Sequence, residues 1–354
     1  MDIVALMNAA YERGASDLHV SVGRRPVLRV GGGLVEIGDA VLTPADTEAM
    51  ARAVAPERNW KELVETGSTD FGLAHESKCR FRVSILTQKG SRGIVMRQIP
   101  QKLLTFDQIG LPDSVKKLLE LHRGLVLVTG PTGSGKTTTL STMIDWINKN
   151  RDVHIITIED PVEYYHTHKK SQVTQREVGV DVTSFAEAMR RALRQDPDVI
   201  LLGEMRDLET TSAAITAAET GHLVFGTLHT TGAARTVDRI IDQYPRESQE
   251  QIRAQLAQSL VAVISQILVP TPNGGRVAAF EIMLSNPAIE NHIRKCETFK
   301  IPSVIQTSRR QGMLLMDDCL LDLYRAGRID KQVALERAFD QKALALRMGG
   351  GAPE

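Results

Sequence analysis

The chain has 354 residues, 42% of them hydrophobic, which is enough to bury ordinary cores in two domains. Lys plus Arg and Asp plus Glu number 43 each, so the net charge is zero, with no global mark of a nucleic-acid or acidic-surface binder. The first six residues lack a basic n-region and cleavage site, and no apolar run approaches the ~20 residues that span a bilayer, so a cytoplasmic location is expected. Cys79, Cys296 and Cys319 are far apart and form no C-x-x-C pair, which gives no disulfide framework and no zinc site.

Residues 1–100 read as a small α+β domain. Ile3, Leu6, Met7 and Ala10 share one helical face that ends before Gly14. Short strands are expected at 17–20 and 27–30, with a glycine turn at 31–33 leading to a third at 34–37. Thr43 is a helix cap and Pro44 suits the first helical position. Three further strands fit 69–73, 79–85 and 93–99. They concentrate Arg80, Arg82, Arg92 and Arg97 on neighbouring strands, with Arg80 and Arg82 on one face. Such a stripe is either the solvated side of a sheet or, in an oligomeric ATPase, a source of cations for a neighbour's phosphates. Residues 101–112 read as an interdomain linker.

Residues 113–345 alternate strand and helix, the pattern of a mostly parallel sheet covered on both faces. Near its start, Gly130-Pro131-Thr132-Gly133-Ser134-Gly135-Lys136-Thr137 satisfies G-x-x-x-x-G-K-[ST] between an apolar run and a helix-compatible segment beginning at Thr138. In that context backbone N–H groups surround a phosphate, Lys136 reaches the β- and γ-phosphates, and the Thr137 hydroxyl holds Mg²⁺. Strand 153–158 ends at Glu159-Asp160-Pro161-Val162-Glu163-Tyr164, and strand 198–202 ends at Gly203-Glu204, with Arg206 close behind. Ligands of open α/β sheets sit beyond the carboxyl ends of strands, so both carboxylates are expected at the sheet edge that bears the phosphate loop. Residues 222–229 form another strand with His222 and His229 at its ends, and Thr227 and His229 are expected at the same edge. Ser184 and Asp207 are helix caps. Residues 246–269 read as one long helix with Ile252, Leu256, Leu260 and Ile264 on its apolar face. A hairpin at 273–275 then leads to strand 276–283, residues 286–340 are helical in pattern, and 346–354 read as a flexible tail.

The ordered set GPTGSGKT, TIEDPVEY, DVILLGEMRD and GHLVFGTLHTT resembles the secretion ATPases of the type II and type IV pilus superfamily. The resemblance extends to Ala15-Ser16-Asp17-Leu18-His19 and covers nearly the whole chain. It implies a PAS-like N-terminal domain and a RecA-like P-loop ATPase domain, assembled as a homohexamer with ATP between domains. It also implies a place at the cytoplasmic face of the inner membrane and a pilus platform protein as partner, while the neutral charge and the lack of an aromatic-plus-basic groove weigh against nucleic acid. Glu163 resembles the family's general base, Glu204 its Walker B glutamate, and His229 its sensor, with His222 nearby. Arg82 and Arg97 resemble the arginines that the N-terminal domain lends to the nucleotide. Assembly and secretion members carry a paired C-x-x-C zinc element, so its lack here points to the retraction branch, where an accessory retraction ATPase is a further possible partner. Residues 288–295 depart from that branch's AIRNLIRE-like segment: Glu290 stands in place of arginine, His292 of leucine and Lys295 of glutamate.

Overall fold

A computed structural model describes residues 2–76, 79–99 and 103–349. The chain divides into two compact units, Met1–Lys102 with Pro161–Tyr165, and Leu103–Asp160 with His166–Glu354.

The first unit runs α1 (Ile3–Glu12), β1 (Asp17–Val20), β2 (Val27–Val30), β3 (Gly33–Glu36), α2 (Pro44–Val54), α3 (Glu57–Thr66), β4 (Ser68–His75), β5 (Cys79–Gln88) and β6 (Ser91–Ile99). Its six strands form an antiparallel sheet in the order β3-β2-β1-β6-β5-β4. α1 buries Ile3, Leu6, Met7 and Ala10, the face its spacing marks. Thr43 and Asp46 close a capping box at the start of α2, with Pro44 in its first turn. On β5, Phe81, Val83 and Ile85 face the core, while Arg80, Arg82 and Ser84 alternate onto the other face. The sequence pattern gave no sign of α3, where Leu63 and Asn59 are buried between polar residues.

The second unit continues with α4 (Phe106–Ile109), α5 (Asp113–Leu118), β7 (Gly124–Thr129), α6 (Lys136–Asn150), β8 (His154–Glu159), β9 (Gln172–Glu177), α7 (Phe185–Ala192), β10 (Val199–Leu202), α8 (Leu208–Glu219), β11 (Leu223–Leu228) and α9 (Ala233–Ile241). It ends with α10 (Gln249–Ser259), β12 (Leu260–Pro270), β13 (Arg276–Leu284), α11 (Pro287–Arg294), α12 (Ile301–Thr307), α13 (Met316–Arg325), α14 (Lys331–Arg337) and α15 (Gln341–Gly349). The seven-stranded sheet has the order β13-β12-β7-β11-β10-β8-β9 and is parallel except for β13. Alternate residues of β7 feed two layers. Leu125 and Leu127 pack with Ala214, Val237 and Leu256 of α8–α10, and Val126 and Val128 pack with Leu140, Met143 and Ile144 of α6. A further core joins β12–β13 to α13–α15 through Val269, Ala279, Leu320 and Leu344.

Three expectations change. Residues 246–269 are not one helix: α10 stops at Ser259, and Leu260 opens β12 with no intervening loop. Val261, Val263, Ile264, Ile267 and Val269 are β-branched, and both faces of β12 are largely buried, so the strand shows none of the alternation that would betray it. In the segment read as linker, residues 101 and 102 lie outside the described residues, while Phe106, Ile109 and Leu111 are buried in the second unit's core beneath a Thr105–Gln108 capping box. Residues 346–349 close α15 rather than belonging to a tail; residues 350–354 lie outside those described.

Candidate nucleotide site

β7, β8, β10 and β11 are parallel and end together, so the segments that follow them share one edge of the sheet. Beyond β7 comes the phosphate loop. Gly130 has φ +142° and a Cβ there would lie 2.1 Å from the Gln266 carbonyl oxygen, so the position takes only glycine. Gly135, at φ +89°, precedes α6 and has no side chain to cap it, which leaves the helix's first N–H groups for an anion. Lys136 Nζ donates to the carbonyls of Gly130 at 2.7 Å and Pro131 at 3.2 Å, folding the cation over its own loop. Burial pushes its pKa down, opposed by the charge of Glu204. Thr137 and Thr138 are half-buried in the first turn of α6, and Pro131, Thr132 and Gly133 are exposed. The hydroxyls of Ser134 and Thr129 are buried without a hydrogen-bond partner among the described residues. Open helix N–H groups, a half-buried lysine and orphaned hydroxyls fit a polyphosphate with its cation.

Two side chains from neighbouring strand ends complete this edge. Glu204 accepts from Arg206 Nε at 2.6 Å and from His229 Nε2 at 3.0 Å. Burial alone would raise the Glu204 pKa, but Arg206 and His229 outweigh it and hold the carboxyl below its usual range. With Nε2 donating to Glu204, Nδ1 of His229 is left to accept from the Thr132 hydroxyl at 3.4 Å. The structure thus strings phosphate loop, histidine and carboxylate into one chain. A cleft of about 440 Å³ opens beside them, lined by Glu204, Arg206, His229, Thr230 and Arg239. Thr227, read as a contact at this edge, instead donates to the Gly203 carbonyl and fixes the turn that presents Glu204.

His222 is not brought to this cluster. It precedes the amino end of β11, and its Nδ1 lies 3.0 Å from the Ala217 carbonyl. A strand with a histidine at each end separates them by its full length.

The other candidates lie in the first unit. Arg82 Nη1 is 4.0 Å from Glu163 Oε1, and the Arg80 guanidinium stacks 4.1 Å from the centre of the Tyr165 ring. Arg97 donates from Nε to Asp17 Oδ1 at 2.9 Å, and Arg29 lies 3.8 Å from the other oxygen. Burial of Asp17 is outweighed by its hydrogen bonds to Arg97 and Ser16, which keep its pKa low. Cross-strand register places Arg82 opposite Arg97.

Sequence reading missed Gln266, Ser265 and Glu281. The signal available for the first two was a polar pair, Ser265-Gln266, inside an apolar run. Among the described residues no cluster of three His, Cys, Asp or Glu stands ready to hold a metal, and no helix is long and apolar enough to cross a membrane.

Comparison with known proteins places these features in a family. The family described as type II/IV secretion system protein matches residues 1–318. The chain is 47% identical over 338 residues to the "Type IV pilus retractation ATPase PilT" of Pseudomonas aeruginosa, covering 96% of this chain and 98% of that one. It is 46% identical to the "Twitching motility protein" of Neisseria gonorrhoeae, covering 90% and 86%, and 39% identical to the "Type IV pilus ATPase PilU" of Pseudomonas aeruginosa, covering 98% and 91%. Among solved structures, "Crystal Structure of the Pilus Retraction Motor PilT and Bound ADP" superposes with a TM-score of 0.92 at 46% identity, covering 98% of this chain and 99% of that one. The chain belongs to the type II/IV secretion system protein family.

Proposed function

We propose that this protein is an Mg²⁺-dependent ATPase that powers retraction of a type IV pilus, working as a homohexamer at the cytoplasmic face of the inner membrane against a platform protein. The observation that carries the ATPase reading is the chain from Thr132 through His229 to Glu204 at the edge that holds the phosphate loop. The retraction reading rests on the relative named a type IV pilus retraction ATPase, matched over 98% of its length, and on the solved retraction motor, matched over 99% of its chain.

In this mechanism the amides of Gly133 to Thr138 and the Lys136 ammonium hold phosphate charge, with Lys136 exchanging its loop carbonyls for phosphate oxygens. Thr137 and Glu204 would hold Mg²⁺, which supplies charge neutralisation across the β- and γ-phosphates. Glu204, held ionised by Arg206 and His229, also orients water. His229, bridging Thr132 and Glu204, registers the state of the phosphate loop. Glu163 takes the proton of the attacking water, and Arg82 and Arg97 bring positive charge to the nucleotide. The tests are turnover and complementation. Glu163→Gln and Lys136→Ala should each lower ATP turnover by about a hundredfold or more, and the wild-type chain should restore surface motility to a strain that lacks its retraction motor. Intact turnover in both variants would sink the residue assignment. Rescue only alongside a resident motor would assign the chain an accessory retraction role.

A further inference from the structure

Gln266 sits within β12, the strand beside β7, and is 2% exposed. Its side chain makes one bond to the phosphate loop and one to the first turn of α6. Nε2 donates to the Ser134 carbonyl at 2.7 Å, and Oε1 accepts from the Thr139 hydroxyl at 2.7 Å. Its own carbonyl oxygen lies where a Cβ on Gly130 would come within 2.1 Å. One buried residue from another strand therefore meets the beginning and the end of the loop and the first turn of α6. Its neighbour Ser265 works on the other side of the strand, accepting from Gly232 N at 2.9 Å just before α9. Cross-strand from Ser265, Glu281 accepts from Ala233 N at 2.7 Å.

We infer that Gln266 is a positioning residue for the nucleotide, holding the phosphate loop in its anion-binding form. The inference rests on the ATPase reading above. A trans peptide points its C=O and N–H in opposite directions. By fixing the Ser134 carbonyl toward β12, Gln266 turns the Gly135 N–H away from that strand, which frees it for an oxyanion. Its bond to Thr139 holds the first turn of α6 in register with that peptide. A packing residue of the same size would fill the space but leave the Ser134 carbonyl and the Thr139 hydroxyl buried and unpaired, with no force setting the peptide's orientation. Ser265 and Glu281 anchor the start of α9, so one short stretch of the β12–β13 hairpin grips both the loop that binds phosphate and the segment that follows His229.

The experiment uses the full chain with Gln266→Met, of similar volume without amide hydrogen bonds, and Gln266→Glu, which replaces the amide donor with a carboxylate oxygen and its charge. Thr211→Val is the control, deleting a different, part-buried bond, from Thr211 Oγ1 to Gln243 Oε1, in the same unit. For each protein, Mg-ADP affinity is measured by titration, KM and kcat for ATP by steady-state kinetics, and the melting temperature without nucleotide. Both Gln266 variants should bind Mg-ADP at least about tenfold more weakly and raise KM in step. Thr211→Val should lower the melting temperature while keeping the wild-type affinity. Mg-ADP affinity within twofold of wild type in Gln266→Met, whatever its melting temperature, would overturn the positioning role and leave Gln266 a packing residue. A wild-type chain that bound no Mg-ADP would overturn the ATPase reading itself, and this role with it.

Discussion

At the scale of single residues, His166 illustrates how burial becomes a pH response. Its ring is largely enclosed, with Nδ1 unpartnered, and burial pushes its pKa down to about 4, with Asp145 pulling weakly the other way. In the unfolded chain the ring takes up a proton near its ordinary value of about 6.5. The folded state therefore keeps its full advantage above that pH and loses it as the pH falls toward 4, a swing of about 3 kcal/mol. His166→Leu should flatten the decline of the melting temperature between pH 6.5 and 4.5, measured by thermal scans in matched buffers; an unchanged decline would exclude His166 as its source. The residues that announce themselves in sequence are those whose spacing is imposed by a ligand, as in Gly130 to Thr137. His166 owes its shift to its burial in the fold, and Gln266 its role to Ser134 and Thr139, far away in sequence, so no local pattern marks them.

At the scale of elements, helix ends were legible and the identity of one long apolar segment was not. Thr43, Ser184 and Asp207 each accept a backbone N–H at the start of a helix, because a short side-chain oxygen there satisfies a donor that the helix cannot. The stretch from α10 into β12 defeated periodicity because a strand buried on both faces and a helix with a broad apolar face present similar runs. What decides between them is tertiary: β7 on one side and β13 on the other supply the ladder bonds. The same hairpin carries Glu281, 6% exposed, whose carboxylate accepts from Ala233 N at the start of α9 and from Met316 N at the start of α13. Burial raises its pKa despite these bonds. Glu281→Ala strands two buried donors and should cost about 2 to 4 kcal/mol in chemical denaturation, while Glu281→Gln, which keeps an acceptor, should cost less than half as much. Equal losses would show that charge, not acceptance, is what the two helices require.

At the scale of the molecule, the chain leaves its second unit for five residues, Pro161–Tyr165, which belong with the first. The first unit therefore holds the candidate base, Glu163, beside Arg82, while the second holds the phosphate loop and Glu204. The Arg82–Glu163 pair is 4.0 Å long and open to solvent, so it contributes at most about 1 kcal/mol to stability. Arg82→Ala should accordingly shift the melting temperature by no more than about 3 °C, yet lower turnover about a hundredfold if its charge serves the nucleotide. Unaltered turnover would relegate Arg82 to the solvated face of its sheet. The two-domain plan and the parallel sheet could be read from the alternation of apolar runs, whereas the excursion at 161–165 could not, since nothing in five residues says which core they join. The junction at Ser259 and Leu260 has a mechanical consequence. A loop between α10 and β12 would act as a spring and absorb movement, whereas here the helix passes into the strand with only the irregularity between Leu260 and Ala262 to give. Gln266 stands six residues along that strand, so the path from α10 to the phosphate loop is one short covalent segment and one hydrogen bond.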